Sequence, residues 1–133
     1  MMTLGATLYV QDSKGAAAFY CQAFGMTVGY NALHPDGTYL HAELEKDGHS
    51  IFAVSESPDA AARKAMLAAA QPTMSLGLSL ADDDALHHAY ESLAKEGRVL
   101  RPIGSLPWSP RAADVVDRYG VCWYLYVSQH RPD

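Results

Sequence analysis

The sequence lacks the features that mark several large classes of protein. Its two cysteines, Cys21 and Cys122, form no CxxC pair, so there is no zinc-finger spacing and we expect two free thiols packed in the interior. No apolar stretch approaches the length of a membrane-spanning helix. The N-terminal segment MMTLGATLYV has neither the basic region nor the cleavage site of a signal peptide. We therefore expect a cytoplasmic protein with no membrane partner.

Basic residues are scarce and dispersed. The chain has 10 Lys and Arg against 15 Asp and Glu, a net charge of −5, and no basic run, which argues against a nucleic-acid partner. It also lacks a glycine-rich phosphate loop, a nucleophile elbow and an HExxH motif. Its 133 residues, 49% hydrophobic and 19% charged, are typical of one globular domain with a substantial core.

What the chain does contain is a repeated pattern. LYVQDSKGAAAFYCQAFG lies near the start, and LSLADDDALHHAYESLAKEG begins at residue 78. Each has an alternating apolar strand, an acidic break and an Ala-rich amphipathic helix ended by glycine, and short strands follow. The repeat predicts an α+β fold of two βαβββ modules. We predict a single domain over residues 1–133, with module one at about 3–56, a connector helix at about 57–71 and module two at about 72–130.

In the first module, residues 4–10 alternate between apolar and other side chains and predict a half-buried strand. Ser13 is the predicted N-cap of a helix that ends at Gly25. The predicted inward stripe of this helix comprises Ala16, Phe19 or Tyr20, Ala23 and Phe24. Strands are predicted at residues 26–33, 38–45 and 50–55, with HPDG and KDG as the turns between them.

In the second module, a strand from Thr73 precedes a helix that Asp82 or Asp83 caps and Gly97 ends. We expect the acidic run at its start to cap the helix and complement its dipole rather than to bind a cation. Strands are predicted at residues 98–103, 112–116 and 121–128. Residues 104–110, GSLPWSP, are predicted to form a loop, and residues 117–120 a hairpin turn.

The alternation also predicts which side chains line a cavity. If the leucines and valines of each strand pack on the helices, the intervening side chains face the other way. Tyrosines, small hydroxyl residues, one histidine and a carboxylate then line a ligand pocket, with a tryptophan at its rim. The predicted pocket residues are Thr7, Tyr9, Tyr39, His41, Glu43, Ser75, Trp108, Tyr124 and Tyr126. Walls rich in tyrosine suit an aromatic or amphipathic small molecule.

Three polar or aromatic candidates admit more than one interpretation. His41 and Glu43 share a strand face. They could serve as a metal-binding pair, as an acid–base pair or as a hydrogen-bonded pair that lines a wet cavity. We favour the hydrogen-bonded pair. Trp108 either packs over a ligand or anchors its loop. Arg111 pairs either with an anionic ligand or, more commonly for such a residue, with Asp114 or Asp117.

Several motifs resemble one known family. The segment AAAFYCQAFGM, the strand HAEL, Trp108 with Arg111 soon after it, and DRYGVCW near the end resemble the vicinal oxygen chelate superfamily. This superfamily includes glyoxalase I, extradiol dioxygenases, and the fosfomycin and bleomycin resistance proteins. The motifs look most like its PhnB-like branch, which more often has D-P-F-G-x-x-W at the last motif. The resemblance implies two modules that form a curved mixed sheet around a cavity, and a homodimer.

The resemblance also implies where a divalent metal would bind. The four ligand positions of the superfamily fall on Gly5, Glu43, Ser75 and Tyr124. Only Glu43 is a good ligand, and a catalytic metal generally needs three. We therefore expect no cofactor, no assigned catalytic residue, and a small-molecule binding protein with a degraded metal site. The alternatives are a divalent-metal-dependent lyase, isomerase or dioxygenase that uses Glu43, and a structural or regulatory dimer with a vestigial cavity.

Overall fold

The structure, a computed structural model, describes residues 1–128, so the last two residues of the predicted second module lie outside it. The chain divides into two compact units, Met1–Ala61 and Ala62–Asp133. The first contains β1 (Thr7–Val10), α1 (Ser13–Phe24), β2 (Thr27–Leu33), β3 (Tyr39–Lys46) and β4 (His49–Glu56). Helix α2 (Ala60–Ala68) follows. The second contains β5 (Leu76–Leu80), α3 (Asp83–Ala94), β6 (Arg98–Leu106), β7 (Ser109–Val116) and β8 (Cys122–Val127).

The two units repeat one topology. Their four-stranded sheets have the orders β1-β4-β3-β2 and β5-β8-β7-β6. In each sheet the first and last strands of the module pair in parallel, and the other neighbours are antiparallel. This confirms the predicted α+β fold of two βαβββ modules. Among residues 1–128, no helix is long and apolar enough to cross a membrane.

Helix α1 begins one residue earlier than predicted. Asp12, not Ser13, is the N-cap: it adopts a left-handed conformation with φ 59°, and its carboxylate accepts a hydrogen bond from the Gly15 amide. The Glu56 carboxylate accepts hydrogen bonds from the amides of Asp12 and Ser13 at 3.1 and 2.8 Å. Ser13 is fully buried, and its hydroxyl accepts from the Tyr39 amide at 2.9 Å. Ser13 therefore links the start of α1 to β3 by a hydrogen bond and does not cap the helix.

Helices α1 and α3 each cover one face of the sheet in their own unit. On α1 the predicted stripe is confirmed, with Tyr20 rather than Phe19 fully buried and its ring 5.6 Å from that of Phe52 on β4. The helix ends, as predicted, at Gly25, whose φ of 67° suits a residue without a Cβ. On α3 the buried side chains are Leu86, Ala89 and Leu93. These apolar layers are the main source of stability in each unit.

Residues 104–110 form a hairpin, so the predicted loop is wrong. Strand β6 continues to Leu106 and β7 starts at Ser109, which leaves Pro107 and Trp108 as a two-residue turn. Proline breaks strands because it cannot donate to a ladder. Here Pro110 precedes Ala112, the first residue of β7 that is paired with β8. Toward β6, Pro110 lies at a register shift between the paired residues Ser109 and Ala112, which is a position where a strand tolerates proline.

Two strands start later than predicted. The pairing of β1 with β4 starts at Thr7, opposite Ala53, and Leu4 is 97% exposed instead of packing inward. Strand β5 starts at Leu76, where its register with β8 starts, and not at Thr73. For β5, the apolar alternation extends past the start of β8 at Cys122, so its first residues have no ladder to join. The paired part of β1 is shorter than β4, which begins at His49.

The DRYGVCW motif is organised by a buried carboxylate. Asp117 is fully buried, and one of its oxygens accepts from the Trp123 indole nitrogen at 2.8 Å. The other oxygen accepts from the amides of Tyr119 and Val121 at 2.8 and 3.1 Å. The predicted turn is confirmed, and Gly120 closes it with a φ of 85°. Asp117 thus joins the β7–β8 turn to the largest side chain of the second core.

We expect Asp117→Ala to destabilise the protein by about 3 kcal/mol, because it leaves a buried indole N–H and two amides without their acceptor. The measurement is urea unfolding followed by circular dichroism. Glu91→Ala, an exposed site on α3, is the matched control and should change stability by less than about 0.5 kcal/mol. Equal effects of the two substitutions would show that the buried carboxylate does not organise the turn.

Candidate functional site

The face of the first sheet that α1 does not cover carries a row of polar and small side chains. Thr7 on β1 is in register with Ala53 on β4, which in turn is opposite Glu43 on β3. Tyr9 lies two residues along β1 and is 72% exposed, whereas Leu8 and Val10 are buried. The alternation predicted for β1 therefore holds over the paired part of the strand.

His41 and Glu43 form a polar pair on this face. The Nε2 atom of His41 lies 3.2 Å from Oε2 of Glu43, and both side chains are about one-third exposed (37% and 34%). The ring of Tyr30 lies 6.2 Å from the imidazole. The geometry is that of a hydrogen-bonded pair on an open sheet surface, with Nε2 donating when it carries the proton.

Tyr39 does not share this face, and its predicted place in the pocket is wrong. It is 8% exposed, whereas Leu40, predicted to pack inward, is 53% exposed. The register of β2 with β3 shifts where Ala32 is opposite His41 and Leu33 is opposite Tyr39, which leaves Leu40 as an extra residue. Such a bulge reverses the alternation. Tyr39 therefore packs at the start of α1, with the Lys14 ammonium 4.6 Å from its ring centre.

In the second unit, three aromatic side chains surround one concavity of about 370 Å³. We call Trp108, Tyr124 and Tyr126 the aromatic cluster. The Trp108 indole N–H donates to the Tyr124 hydroxyl at 3.1 Å. The rings of Tyr124 and Tyr126 lie 5.1 Å apart at an angle of 35°. Three residues predicted for the pocket thus come together, and the hydrogen bond fixes the tryptophan beside the strand.

The sequence of β8 explains this placement. Trp123 and Leu125 are buried on the helix side of the sheet, so Tyr124 and Tyr126 point to the opposite face. Their register partners on β5 are Gly77 and Ser79. Because Gly77 has no side chain, the Tyr126 ring can lie over it, 3.9 Å from where a Cβ of Gly77 would be.

Ser75 lines a second concavity, of about 570 Å³, and is not part of the aromatic cluster. Arg101, Asp114 and Cys122 line it too, with the Arg101 guanidinium paired to the Asp114 carboxylate. Burial, and then the charge of Asp114, raise the pKa of the Cys122 thiol. The thiol therefore stays protonated and is a poor nucleophile.

Arg111 makes neither of the predicted ion pairs. Its guanidinium binds Asp83 of α3 at 2.9 Å and approaches Nε2 of His87 at 2.9 Å. Asp82 caps α3 by accepting from the Ala85 amide at 2.8 Å. The acidic run at this helix start therefore caps the helix, as expected, and also holds Arg111.

The residues at the four metal positions of the superfamily do not fit a divalent ion. Gly5 has no side chain, Ser75 is a weak ligand, and the Tyr124 hydroxyl accepts from Trp108. Over residues 1–128, no three His, Cys, Asp or Glu side chains are grouped closely enough to hold a metal. Glu43 has one potential co-ligand, His41, and two side chains fall short of the three that catalytic sites use.

Comparison with known proteins identifies the family. The sequence model of the Glyoxalase/Bleomycin resistance protein/Dioxygenase superfamily matches residues 4–125. The chain belongs to this superfamily. This confirms, at superfamily level, the resemblance found in the sequence. A search of functionally curated proteins found no match.

Solved structures show the same fold. A PhnB protein from Bacillus cereus aligns over 96% of this chain and 100% of its own, with a TM-score of 0.73 and 23% identity. A protein from Pseudomonas aeruginosa aligns over 98% and 100%, with a TM-score of 0.72 and 20% identity. The fosfomycin resistance protein FosX from Listeria monocytogenes, solved with Mn(II) and 1S,2S-dihydroxypropylphosphonic acid, aligns over 97% and 94%, with a TM-score of 0.65 and 14% identity. At these identities the likeness establishes the fold.

We expect purified, untagged protein to retain no near-stoichiometric Ni, Mn, Fe, Zn or Co after incubation and desalting, because the ligand set is incomplete. Mass spectrometry of the metal content makes the measurement. Glu43→Ala should leave the result unchanged, with Glu45→Ala as its control on the same strand. Stoichiometric metal that is lost only in Glu43→Ala would instead favour the metal-dependent enzyme.

Proposed function

We propose that the protein binds a small aromatic or amphipathic molecule at the aromatic cluster and needs no resident divalent metal for it. The observation that carries this proposal is the convergence of Trp108, Tyr124 and Tyr126 on one concavity. Trp108 is 64% exposed although its indole N–H is hydrogen-bonded. A large aromatic face that is both fixed in place and open to solvent suits ligand stacking.

The size and chemistry of the concavity limit the ligand. Its volume of about 370 Å³ lies near the lower end of the range for small-molecule pockets, about 300–1,000 Å³. Stacking against an aromatic side chain contributes about 0.5–1.5 kcal/mol beyond area burial. Ser109 and Ser128 also line the concavity, and the Ser109 hydroxyl already donates to the Arg111 carbonyl at 3.3 Å. We therefore favour a ligand of one or two rings, with few polar groups, held by stacking.

Catalysis by Glu43 with a divalent metal is the competing function. In its favour, His41 and Glu43 are adjacent on an open sheet face, and a histidine with a carboxylate is a common ligand pair. Against it, Gly5 supplies no side chain where the superfamily has a ligand. A vestigial cavity in a purely structural dimer is the third candidate, and it predicts that no small molecule stabilises the protein.

Because the chain has two tryptophans, two indole N–H signals can report on binding. In a nitrogen-15 NMR titration with p-cresol or quinoline, we expect the Trp108 signal to shift saturably and the signal of buried Trp123 to stay in place. Tyr126→Leu should weaken binding about 3- to 10-fold, since it removes one stacking ring. Trp108→Phe assigns the two signals.

Tyr30→Leu is the control for this titration, because it makes the same substitution at an exposed tyrosine in the other unit. It should leave both affinities unchanged. Saturable binding that neither Tyr126→Leu nor Tyr124→Leu weakens would place the ligand elsewhere. No response to any probe would favour the structural dimer.

We also propose that the protein forms a homodimer. Large apolar side chains on the first unit remain exposed, among them Tyr9, Tyr30, Leu40 and Ile51, and exposed apolar surface commonly marks an interface. Light scattering coupled to gel filtration should give twice the chain mass of 14.4 kDa. A mass equal to one chain at micromolar concentration would contradict the proposal.

A further inference from the structure

We infer that the aromatic cluster selects an organic cation, of the quaternary ammonium type, over a neutral molecule of the same shape. This inference rests on the proposed function and names the ligand class of the same site. The face of an aromatic ring carries negative potential and attracts a cation within about 6 Å of its centre, most strongly for tryptophan and then tyrosine. The cluster consists of one tryptophan and two tyrosines.

The arrangement of the rings fits one compact cation. The ring centres of Tyr124 and Tyr126 lie 5.1 Å apart, with the rings inclined by 35°, so one cation can lie within about 6 Å of both ring centres. Trp108 is held beside Tyr124 by its indole N–H at 3.1 Å. Several rings held around one space recognise methylated ammonium groups, because each ring contributes and none needs to be reoriented.

Among residues 1–128, no fixed positive charge lines the concavity. Its walls are formed by the cluster with Ser109, Pro110, Val127 and Ser128. The nearest basic residue in sequence, Arg111, is held by Asp83 and His87 of α3, on the helix side of the sheet. The next residue of β7, Ala112, is in register with Tyr126, so both side chains point to the face that the helix does not cover. A cation in the concavity therefore meets no adjacent like charge from β7.

The basic residue that faces the same side as Tyr124 is already neutralised. Asp114 is the register partner of Tyr124 on β7, and Arg101 is the register partner of Asp114 on β6. The Arg101 guanidinium is paired with the Asp114 carboxylate. Because no carboxylate of the described part of the chain lines the concavity either, ring faces rather than an ion pair supply the preference for a cation. The preference should therefore survive salt screening.

The test compares choline with 3,3-dimethylbutan-1-ol, a neutral probe of the same shape in which carbon replaces the ammonium nitrogen. Both are titrated at constant 0.15 M salt, with the Trp108 indole N–H signal as the readout. We expect choline to bind about fivefold tighter or more, which is the ratio that about 1 kcal/mol of cation–π attraction produces. Raising the salt to 0.5 M should leave that ratio within about twofold.

Matched substitutions test whether the Tyr126 ring produces the preference for choline over the neutral alcohol. Tyr126→Phe keeps the ring and should keep the ratio, whereas Tyr126→Leu should move it toward one, and Tyr30→Leu should have no effect. If p-cresol and quinoline bind but choline binds no tighter than the alcohol, the cation preference is wrong and the proposed function stands. A ratio that Tyr126→Leu leaves unchanged also overturns the inference. If none of the four probes shifts the Trp108 signal, the proposed function fails as well.

Discussion

The burial of one face of each sheet under its own helix is the constraint on which the rest of the structure depends. Tyr20 and Phe52 meet in the first core, and Leu86 and Trp123 are buried in the second. Because the strand residues among them point toward the helix, the residues before and after them on the strand point to the opposite face of the sheet. The open faces are therefore set by packing that takes place on the opposite surface of the same strands.

The two modules distribute large and small side chains differently over those open faces. In the first, the large Tyr9 comes from β1 and its register partner on β4 is Ser55. In the second, the large Tyr126 comes from β8 and its partner on β5 is Ser79. Because β8 supplies two rings in succession and the β6–β7 turn adds Trp108, only the second module gathers an aromatic cluster.

This arrangement changes what a known fold is able to do. Superfamily membership establishes the architecture, and function depends on the side chains placed on it. Here two of the metal-ligand positions of the superfamily are occupied by Gly5 and Ser75. In the aromatic cluster, a hydrogen bond from Trp108 to Tyr124 fixes the tryptophan in place. Under the proposed function, stacking and attraction by ring faces take the place of charge neutralisation by an ion.

The sequence by itself determined the repeat, the helices and which side chains of β8 face the helix, because apolar periodicity records which face each element buries. It placed Tyr124 and Tyr126 on one face for the same reason. Only the tertiary structure decided where Tyr39, Arg111 and Ser75 lie. A bulge at Leu40 reversed the alternation, α3 offered Arg111 a carboxylate distant in sequence, and Ser75 fell into a separate concavity. Such outcomes depend on pairing between strands and on contacts across the fold, which no local pattern encodes.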